Sequence, residues 1–377
     1  MNIGINGYEA VVPRFGFDKS TGLPNRVGSG EFCYQLLKSL FDLDKKNSYF
    51  IYLPVPPTSD MPKQTFSWRY IVFSAKKLWT LIGLTKRLSR NGNKLDVFFS
   101  PTHYLPLTLP VRSVVAILDV SYLHFPDLFK KRDLYQLRLW GKYSINKAKK
   151  IITISESSKS DIIKKYEVSP NKVAVVYPGI KPLQPKFINM EELKKKFGIS
   201  KKYILNVGTL QPRKNIERLI EAFSRLGRSD LELVIIGKKG WQFENILNAP
   251  KKFEISENVH FLHDVTDEEL PSFYKNAEIF VLPSLYEGFG LPVLEAMKYG
   301  TPVITSNISS LPEAGGDAAL YVDPENVSDI SEKMKKLLDD KKLREELINK
   351  GKKQVEKFSW EKSAQETLKV LEEVVSA

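Results

Sequence analysis

The sequence predicts an α/β protein of two domains, each a doubly wound parallel sheet with helices on both faces. At 377 residues the chain exceeds the usual size of one compact core. Short apolar strands alternate with amphipathic helices in both halves, which is typical of parallel sheets. A stretch rich in proline and glycine, Tyr177–Phe187, predicts a linker between the halves. Parallel sheets bind ligands beyond the carboxyl ends of their strands, so we expect the two domains to face each other across a cleft.

The first half begins with a strand, a glycine-bearing loop at Arg26–Gly30 and a helix. Phe32, Leu36 and Leu40 recur at helical spacing, which predicts a helix packed on the sheet. Either Ser155 or Ser157 is suited to cap a helix that runs to Tyr166. The predicted strands are Ile3–Asn6, Tyr49–Leu53, Asp96–Ser100, Val114–Asp119, Ile151–Ser155 and Val173–Tyr177.

The second half repeats this rhythm. Its predicted strands are Tyr203–Gly208, Leu231–Gly237, Val259–Leu262, Glu278–Pro283 and Pro302–Thr305. We expect helices at Asn215–Leu226, at Pro292–Tyr299 and over most of the chain from Val327 onward. Thr266 and Glu269 have the spacing of a capping box, which predicts that a further helix opens there.

The composition narrows the class of protein. The longest apolar runs are strand-sized, and the first residues lack the pattern of a signal peptide, so we expect a soluble cytoplasmic protein. Cys33 is the only cysteine, which excludes an internal disulfide and a cysteine-based metal cluster. The net charge of +13 favours an anionic partner, although most of the lysines fit a solvated surface. Because no nucleic-acid-binding motif is present, we expect no nucleic-acid partner.

The most informative segment runs from Pro283 to Met297 and reads as a strand end, a tight loop and a helix N-terminus. Gly288 and Gly290 let the backbone approach a ligand closely, and the first amides of a helix suit a phosphate. Glu287 and Glu295 are placed to face the same ligand, where carboxylates suit the neutral hydroxyls of a sugar or ribose.

This segment resembles the Glu-x7-Glu motif of the family 4 retaining glycosyltransferases, which have the GT-B fold of two Rossmann-like domains. Val207–Asn215 resembles the phosphate-binding strand, loop and helix of that family. Ile152–Ser158 and Val175–Gly179 resemble the exit of its first domain and its linker. The similarity extends over nearly the whole chain and implies that the last helix returns to the first domain. The implied domains are 1–178 plus 360–377, and 179–359.

The resemblance implies a role for each matching residue. Glu295 would bind the nucleotide ribose, Glu287 the donor sugar, and Arg213 and Lys214 the diphosphate. Further donor-binding residues would be Gly28, Ser29, Gly30, Gly208, Val265, Gly288, Phe289, Gly290 and Leu291, with Val265 near the base.

The chemistry of glycosyl transfer asks for cations beside the diphosphate. Breaking the sugar–phosphate bond leaves negative charge on the leaving group, which an Arg and a Lys stabilise as it develops. Each charged hydrogen bond contributes roughly 1.5–3 kcal/mol, more than the ~0.3–1 kcal/mol of an exposed helix N-terminus. Arg213 and Lys214 precede a helix N-terminus, where cations are misplaced unless an anion binds.

The first domain offers fewer candidates. Asp119 is at the end of a predicted strand and is our candidate for a contact to the donor sugar or acceptor. With Arg213, Lys214 and Glu287 it completes the predicted catalytic set. Leu118 stands where many members of the resembling family carry histidine, so the imidazole role implied there has no residue at this position. His103 and His124 are candidates for the acceptor side, with an ordinary surface position as the alternative for each.

We expect no metal and no other cofactor. Asp42 and Asp44 match an Asp-x-Asp metal motif by letters, but they follow an amphipathic helix rather than a strand, which indicates a polar helix end.

Residues 74–95 include six basic residues, no acidic residue and interleaved apolar side chains. This pattern is typical either of a helix packed in its own domain or of weak peripheral contact with an anionic membrane. The inner face of the cytoplasmic membrane is therefore an alternative location.

Three functions remain open at this point. The first is a transferase of cell-surface polysaccharide or lipopolysaccharide synthesis, with GDP-mannose as the expected donor from the similarity around Asp119–Pro126 and UDP-sugars as the alternative. The acceptor would be a saccharide or a lipid-linked saccharide. The second is a nucleotide-sugar 2-epimerase, and the third is a non-catalytic nucleotide-sugar-binding protein.

Overall fold

The structure is a computed structural model that describes residues 1–13, 16–18, 21–75, 78–90, 94–182 and 187–377. Within the predicted linker, residues 183–186 lie outside the described residues, as do Lys76, Lys77 and residues 91–93 of the basic segment. The chain divides into two compact units. The first comprises Met1–Tyr122, Phe129–Gly179 and Phe358–Ala377, and the second comprises Leu123–Leu128 and Ile180–Lys357.

Helices of the first unit are α1 (Tyr8–Val11), α2 (Ser29–Leu43), α3 (Leu84–Arg90), α4 (Ser121–His124, at the boundary), α5 (Lys131–Gln136), α6 (Lys142–Lys147) and α7 (Glu156–Tyr166). Helices of the second unit are α8 (Met190–Phe197), α9 (Ile216–Ser224), α10 (Glu244–Lys252), α11 (Leu270–Asn276), α12 (Leu291–Lys298), α13 (Leu311–Gly315), α14 (Val327–Asp339) and α15 (Lys341–Val355). The last helix, α16 (Trp360–Ser376), belongs to the first unit. Trp79–Gly83 and Leu137–Gly141 are π-helical turns.

A seven-stranded parallel sheet forms the centre of the first unit. Its strands are β1 (Asn2–Asn6), β2 (Ser48–Leu53), β3 (Trp68–Val72), β4 (Val97–Ser100), β5 (Arg112–Ala116), β6 (Lys150–Thr153) and β7 (Val173–Val175). The spatial order is β3-β2-β1-β4-β5-β6-β7, so the direction of winding reverses between β1 and β4. Their carboxyl ends are joined by a buried hydrogen bond from Asn6 Nδ2 to Ser100 Oγ of 3.0 Å.

A six-stranded parallel sheet forms the centre of the second unit. Its strands are β8 (Lys202–Val207), β9 (Leu231–Ile236), β10 (Val259–Leu262), β11 (Ile279–Leu282), β12 (Val303–Ser306) and β13 (Ala319–Val322). The order β10-β9-β8-β11-β12-β13 reverses between β8 and β11. Both sheets therefore have the doubly wound, Rossmann-like order, in which ligands bind at the reversal point.

The last helix, α16, packs on the first unit. Its Trp360 ring contacts Phe32 of α2 edge-on, with centroids 5.7 Å apart, and Leu371 is fully buried in the same apolar core. The chain enters and leaves this unit side by side, because a Cβ on Gly179 would lie 2.2 Å from the Trp360 amide nitrogen. The predicted domains differ from these units by one or two residues at the ends of the second domain, and Leu123–Leu128 group with the second unit.

Two local predictions were wrong. The strand predicted to reach Asp119 ends at Ala116, because Asp119 Oδ1 accepts the Ser121 amide at 2.9 Å and turns the chain into α4. The helix predicted at Thr266 starts at Leu270, although Glu269 still accepts the Thr266 amide at 3.2 Å. Pro271 has no N–H to donate inside a helix and is tolerated only in its first turn.

Within the basic segment 74–95, residues 79–90 form a π-helical turn followed by α3. Trp79, Leu81 and Leu84 are almost completely buried, as is Leu88. Trp79 stacks on Phe73 with ring centroids 4.8 Å apart. Most apolar side chains of this segment therefore pack inside the first unit.

Candidate active site

The reversal point of the second sheet brings together the loops that follow β8 and β11. The first loop includes the single turn of 3₁₀-helix Pro212–Lys214, and the second runs from Pro283 to Gly290. The Leu285 amide donates to the Arg213 carbonyl at 2.9 Å. Asn215, which has a left-handed backbone conformation, donates from Nδ2 to the Pro283 carbonyl at 2.9 Å. The two loops are thus fixed against each other by hydrogen bonds to backbone carbonyls.

Three predicted site residues meet at this junction. Lys214 Nζ lies 2.5 Å from Glu287 Oε1, and Arg213 Nη1 lies 3.2 Å from Glu287 Oε2. Arg213 also donates to the Tyr286 carbonyl. The side chains are 16% (Arg213), 11% (Lys214) and 9% (Glu287) exposed, so the cluster is largely removed from water. Together the two cations and one carboxylate carry a net charge of +1.

Electrostatics hold Glu287 in its charged form. Burial acts to raise the pKa of its carboxyl group, but the charges of Lys214 and Arg213, with hydrogen bonds from Lys214 and Ser284, outweigh burial and lower the pKa to about 2. The net positive charge of two cations and one carboxylate suits the binding of an anion.

Three serines position Glu287, and the sequence analysis did not identify them. Ser284 Oγ donates to the carboxylate at 2.7 Å, while Ser309 Oγ and Ser310 Oγ each donate to the Glu287 carbonyl at 2.8 Å. Ser309 and Ser310 lie in the loop that follows β12. The residues Asn307, Ser309 and Ser310, which follow the strand, are the polar sequence signal that marks this loop.

Close backbone packing shapes the rest of this edge. A Cβ on Gly237 would lie 1.9 Å from the Gly208 carbonyl oxygen, so only glycine fits there. Gly290 has a φ of +106°, which is strained for other residues, and it immediately precedes the first residue of α12, Leu291. In the first turn of this helix Pro292 has no N–H, and the Val293 amide donates to the Gly290 carbonyl at 3.0 Å, so the amide available to a ligand there is that of Leu291. Gly288 precedes Phe289, whose side chain is buried.

Glu295 lies in α12, half-exposed, and is held by a residue that the sequence analysis missed. The Tyr274 hydroxyl donates to Glu295 Oε2 at 2.8 Å. Tyr274 is fully buried and stacks on Tyr299 with ring centroids 6.0 Å apart. Burial raises the pKa of Tyr274 well above its ordinary value, so its hydroxyl remains a donor at neutral pH.

Two further predicted residues lie in the second unit. Val265 is half-buried in the loop after β10, where the neighbouring His263 Nδ1 lies 2.6 Å from the Gly237 carbonyl. His124 is exposed and stacks on Tyr286, with ring centroids 5.1 Å apart. Tyr286 directly precedes Glu287 in the sequence. The stack therefore places His124 beside the loop that contains Glu287 of the ion cluster.

The predicted glycine loop of the first unit opens α2. Ser29 Oγ donates to Glu9 Oε2 at 3.2 Å, and a Cβ on Gly30 would lie 3.0 Å from the Glu9 carbonyl oxygen. Gly28 caps the helix with a positive φ. Arg26, which is ion-paired with Asp60, anchors the loop.

Asp119 and His103 meet in the first unit. His103 follows β4 and lies close enough to Asp119 for that residue to influence the pKa of the imidazole. Burial lowers the pKa of His103 below its ordinary value, although Asp119 opposes the shift, so the imidazole is neutral at pH 7. Leu118 is buried beside them.

No group of three or more His, Cys, Asp or Glu side chains in the described part of the chain is arranged to hold a metal ion. Asp44 of the Asp-x-Asp pattern is a buried helix end. It accepts hydrogen bonds from the Lys46 amide at 2.8 Å and from Asn47 Nδ2 at 2.6 Å. Across the described ranges, none of the helices has both the length and the apolar character that crossing a bilayer requires.

Comparison with known proteins agrees with this geometry. The family model for glycosyl transferases group 1 matches residues 189–354, which contain the ion cluster and α12. The model for glycosyltransferase family 4 matches residues 50–182 of the first unit.

Relatives and solved structures extend the match. The O-antigen chain mannosyltransferase B of Escherichia coli is 34% identical over 280 residues, which are 72% of this chain and 73% of that protein. The O-antigen chain mannosyltransferase RfbU of Salmonella typhimurium is 28% identical over 76% of this chain and 75% of its own length. Sucrose-phosphate synthase from Thermosynechococcus elongatus, 17% identical, superimposes with a TM-score of 0.74 over 100% of this chain and 99% of that chain.

One conclusion follows from the two Rossmann-like sheets, from the ion cluster at the reversal point of the second sheet and from these matches. The chain belongs to family 4 of the glycosyltransferases and has the GT-B fold.

Proposed function

We propose that this glycosyltransferase transfers mannose from GDP-mannose, with retention of the anomeric configuration, to a saccharide or lipid-linked saccharide. The pathway would be the synthesis of a cell-surface polysaccharide or lipopolysaccharide. The choice of mannose rests on the 34% identity to an O-antigen mannosyltransferase that spans 73% of that relative.

The observation that carries the proposed chemistry is the buried cluster of Arg213, Lys214 and Glu287. When the bond between the sugar and the diphosphate breaks, negative charge accumulates on the diphosphate. Arg213 and Lys214 would stabilise this charge in a largely water-excluded site, where electrostatic interactions are strong. Glu287 keeps the two cations in place before the donor binds, and its carboxylate is then available to the donor sugar.

Other parts of the same edge would bind the remainder of the donor. The backbone amides of Phe289, Gly290 and Leu291 would contact the phosphate or sugar hydroxyls. Glu295 would accept hydrogen bonds from the ribose. Val265 would lie near the base. In the first unit, the Gly28–Gly30 loop would contribute phosphate contacts, and Asp119 and His103 would serve the sugar or the acceptor. His124, which groups with the second unit, would serve the acceptor.

The reaction would be independent of metal ions, because the two cationic side chains supply positive charge at the diphosphate. The enzyme would work in the cytoplasm, at the inner face of the cytoplasmic membrane when the acceptor is lipid-linked. In segment 74–95, Leu78 and Ile82 remain 42% and 37% exposed and are available for weak membrane contact.

A thermal-shift screen against GDP, UDP, ADP and their sugar conjugates, in the presence of a chelator, tests the donor site. At about 100 times its dissociation constant, the right nucleotide stabilises the fold by roughly 2.7 kcal/mol. For a unit of this size we expect an increase in melting temperature of about 5–11 °C. Arg213→Ala should abolish the shift, whereas Arg228→Ala, which alters an exposed ion pair with Asp230, should preserve it.

The nucleotide that gives the shift identifies the donor. A response to UDP alone would replace GDP-mannose with a UDP-sugar, and a folded protein that responds to no nucleotide would contradict the diphosphate site. Product analysis separates the remaining classes. Transfer yields a glycosylated acceptor whose anomeric configuration NMR can read, whereas an epimerase yields a changed sugar without an acceptor, and a binding protein yields no product.

A further inference from the structure

A basic helix on the surface of the first unit takes no part in the donor site. It runs from Lys131 to Lys147 as α5, the π-helical turn and α6, and we call it the basic helix. It contains five lysine and arginine residues and one acidic residue, Asp133. This imbalance is unusual for a solvated helix, in which basic and acidic side chains normally alternate.

One face of the basic helix is fixed to the unit. Ile145 is fully buried, and Ser144 Oγ accepts the Leu105 amide at 2.9 Å. Trp140 packs edge-on against Tyr104, with ring centroids 5.9 Å apart. The opposite face is therefore held toward solvent in a fixed orientation.

The outer face combines apolar and cationic side chains. Tyr135 is 66% exposed and Leu139 is 50% exposed, one helical turn apart. Three exposed cations surround these two apolar side chains at spacings of three to four residues, namely Lys131, Arg138 and Lys142. The three cations and the two apolar residues therefore share one side of the helix. Within the described part of the chain, none of these three cations forms an ion pair.

The exposed apolar surface continues beyond the helix. The Tyr143 hydroxyl donates to the carbonyl of Leu107, a residue that is 44% exposed. The Leu107 amide donates in turn to the Leu81 carbonyl at 3.1 Å, which places the Leu78–Arg90 segment alongside. That segment adds the exposed Ile82 and the exposed cations Lys86 and Arg90.

We infer that the outer face of the basic helix docks the first unit on an anionic lipid bilayer. Exposed apolar side chains enter the headgroup region of a membrane, while surrounding cations contact lipid phosphates. A nucleic acid or an acidic protein surface would use the cations but would gain little from Leu139. The inference concerns binding alone and does not depend on the identity of the donor; it deepens the proposed function, because a lipid-linked acceptor lies in that bilayer.

Sedimentation with vesicles tests this inference on the full chain. We expect binding to vesicles of phosphatidylcholine with phosphatidylglycerol, and no binding to phosphatidylcholine alone. Each cation near an anionic surface strengthens membrane partitioning about fivefold. Arg138→Glu with Lys142→Glu should therefore weaken it at least ~25-fold. The control Lys164→Glu with Lys165→Glu makes the same charge change on exposed positions of α7 and should have a much smaller effect.

The apolar contribution is tested separately. Leu139→Gln should weaken vesicle binding about tenfold. Phe66→Gln, at a residue of the same unit that is 87% exposed, should not. The inference is overturned if the wild type does not bind anionic vesicles, or if the charge control weakens binding as much as the test variant. Equal binding by Leu139→Gln and the wild type, together with tight binding to heparin, would indicate a polyanion site and also overturn it.

The nucleotide thermal shift keeps the two proposals distinct. The basic-helix variants should keep the wild-type shift, because no substituted residue lies in the ion cluster. A lost nucleotide shift in the wild type would refute the proposed function while leaving vesicle binding intact.

Discussion

Replacing Glu287 by glutamine tests the ion cluster most directly, because the substitution removes the charge and keeps the shape. The pKa of Glu287 is lowered from 4.5 to about 2, and each pKa unit corresponds to 1.36 kcal/mol. The charged form therefore contributes about 3 kcal/mol. An independent expectation, the cost of removing one partner from a buried ion pair, is about 3–5 kcal/mol. The two figures agree.

We expect Glu287→Gln to lower the melting temperature of the second unit by about 6–12 °C, at 2–4 °C for each kcal/mol. Differential scanning calorimetry at pH 7 measures this directly. The control is Glu217→Gln, which breaks an ion pair with Lys252 whose side chains are 41% and 62% exposed. That change should cost less than about 1 kcal/mol.

The ligand response of the same variant adds a second readout. Without Glu287, the remaining two cations carry a charge of +2 instead of +1. A nucleoside diphosphate should then raise the melting temperature of the variant more than that of the wild type. If Glu287→Gln melts like the Glu217→Gln control, the cluster does not hold the loops together, and the reasoning is refuted.

Three further outcomes follow from the same contacts. The folded-state pKa of Glu287 lies below the unfolded value, so the stabilisation that its charge provides is complete above about pH 4.5 and is lost as the pH falls toward about 2. Acid titration should therefore show a smaller loss of stability for Glu287→Gln than for the wild type. Parallel curves of stability against pH would contradict the lowered pKa. Tyr274→Phe removes a charged hydrogen bond of about 1.5–3 kcal/mol to Glu295, so the KM for the donor should rise about tenfold or more with kcat unchanged. Steady-state kinetics would contradict this positioning role if kcat fell instead. Gly237→Ala forces a Cβ against the Gly208 carbonyl and should destabilise the second unit by about 3 kcal/mol, which urea denaturation would measure. An unchanged midpoint of urea unfolding would contradict this expectation and show that the loop can move.

The sequence predicted most of the buried strands because fully buried parallel strands are continuous apolar runs. It missed Trp68–Val72 and Ala319–Val322. Each lies at an edge of its sheet, pairs with one neighbour only and includes half-exposed residues. These two strands lack the apolar signal that marks a central strand, whereas the other two edge strands, Val173–Val175 and Val259–Leu262, were predicted.

The candidate site was predictable where it is local in sequence. Arg213 and Lys214 stand next to each other, and Glu287 lies in a loop with a recognisable glycine pattern. Ser309, Ser310 and Tyr274 were not predictable, because each reaches its partner from another element. Their contact with Glu287 or Glu295 depends on how β12 and α11 pack in three dimensions, which no local pattern encodes.

The position of α16 has a consequence for the order of events during synthesis. The core of the first unit contains Phe32 near one end of the chain and Trp360, Val370 and Leu371 near the other. The ribosome must translate the entire second unit before these late residues become available. The second unit is nearly continuous, from Ile180 to Lys357, and can fold as it emerges. The unit that is made first is therefore the one completed last, and its unfinished apolar surface at α2 is exposed to chaperones for the longest time.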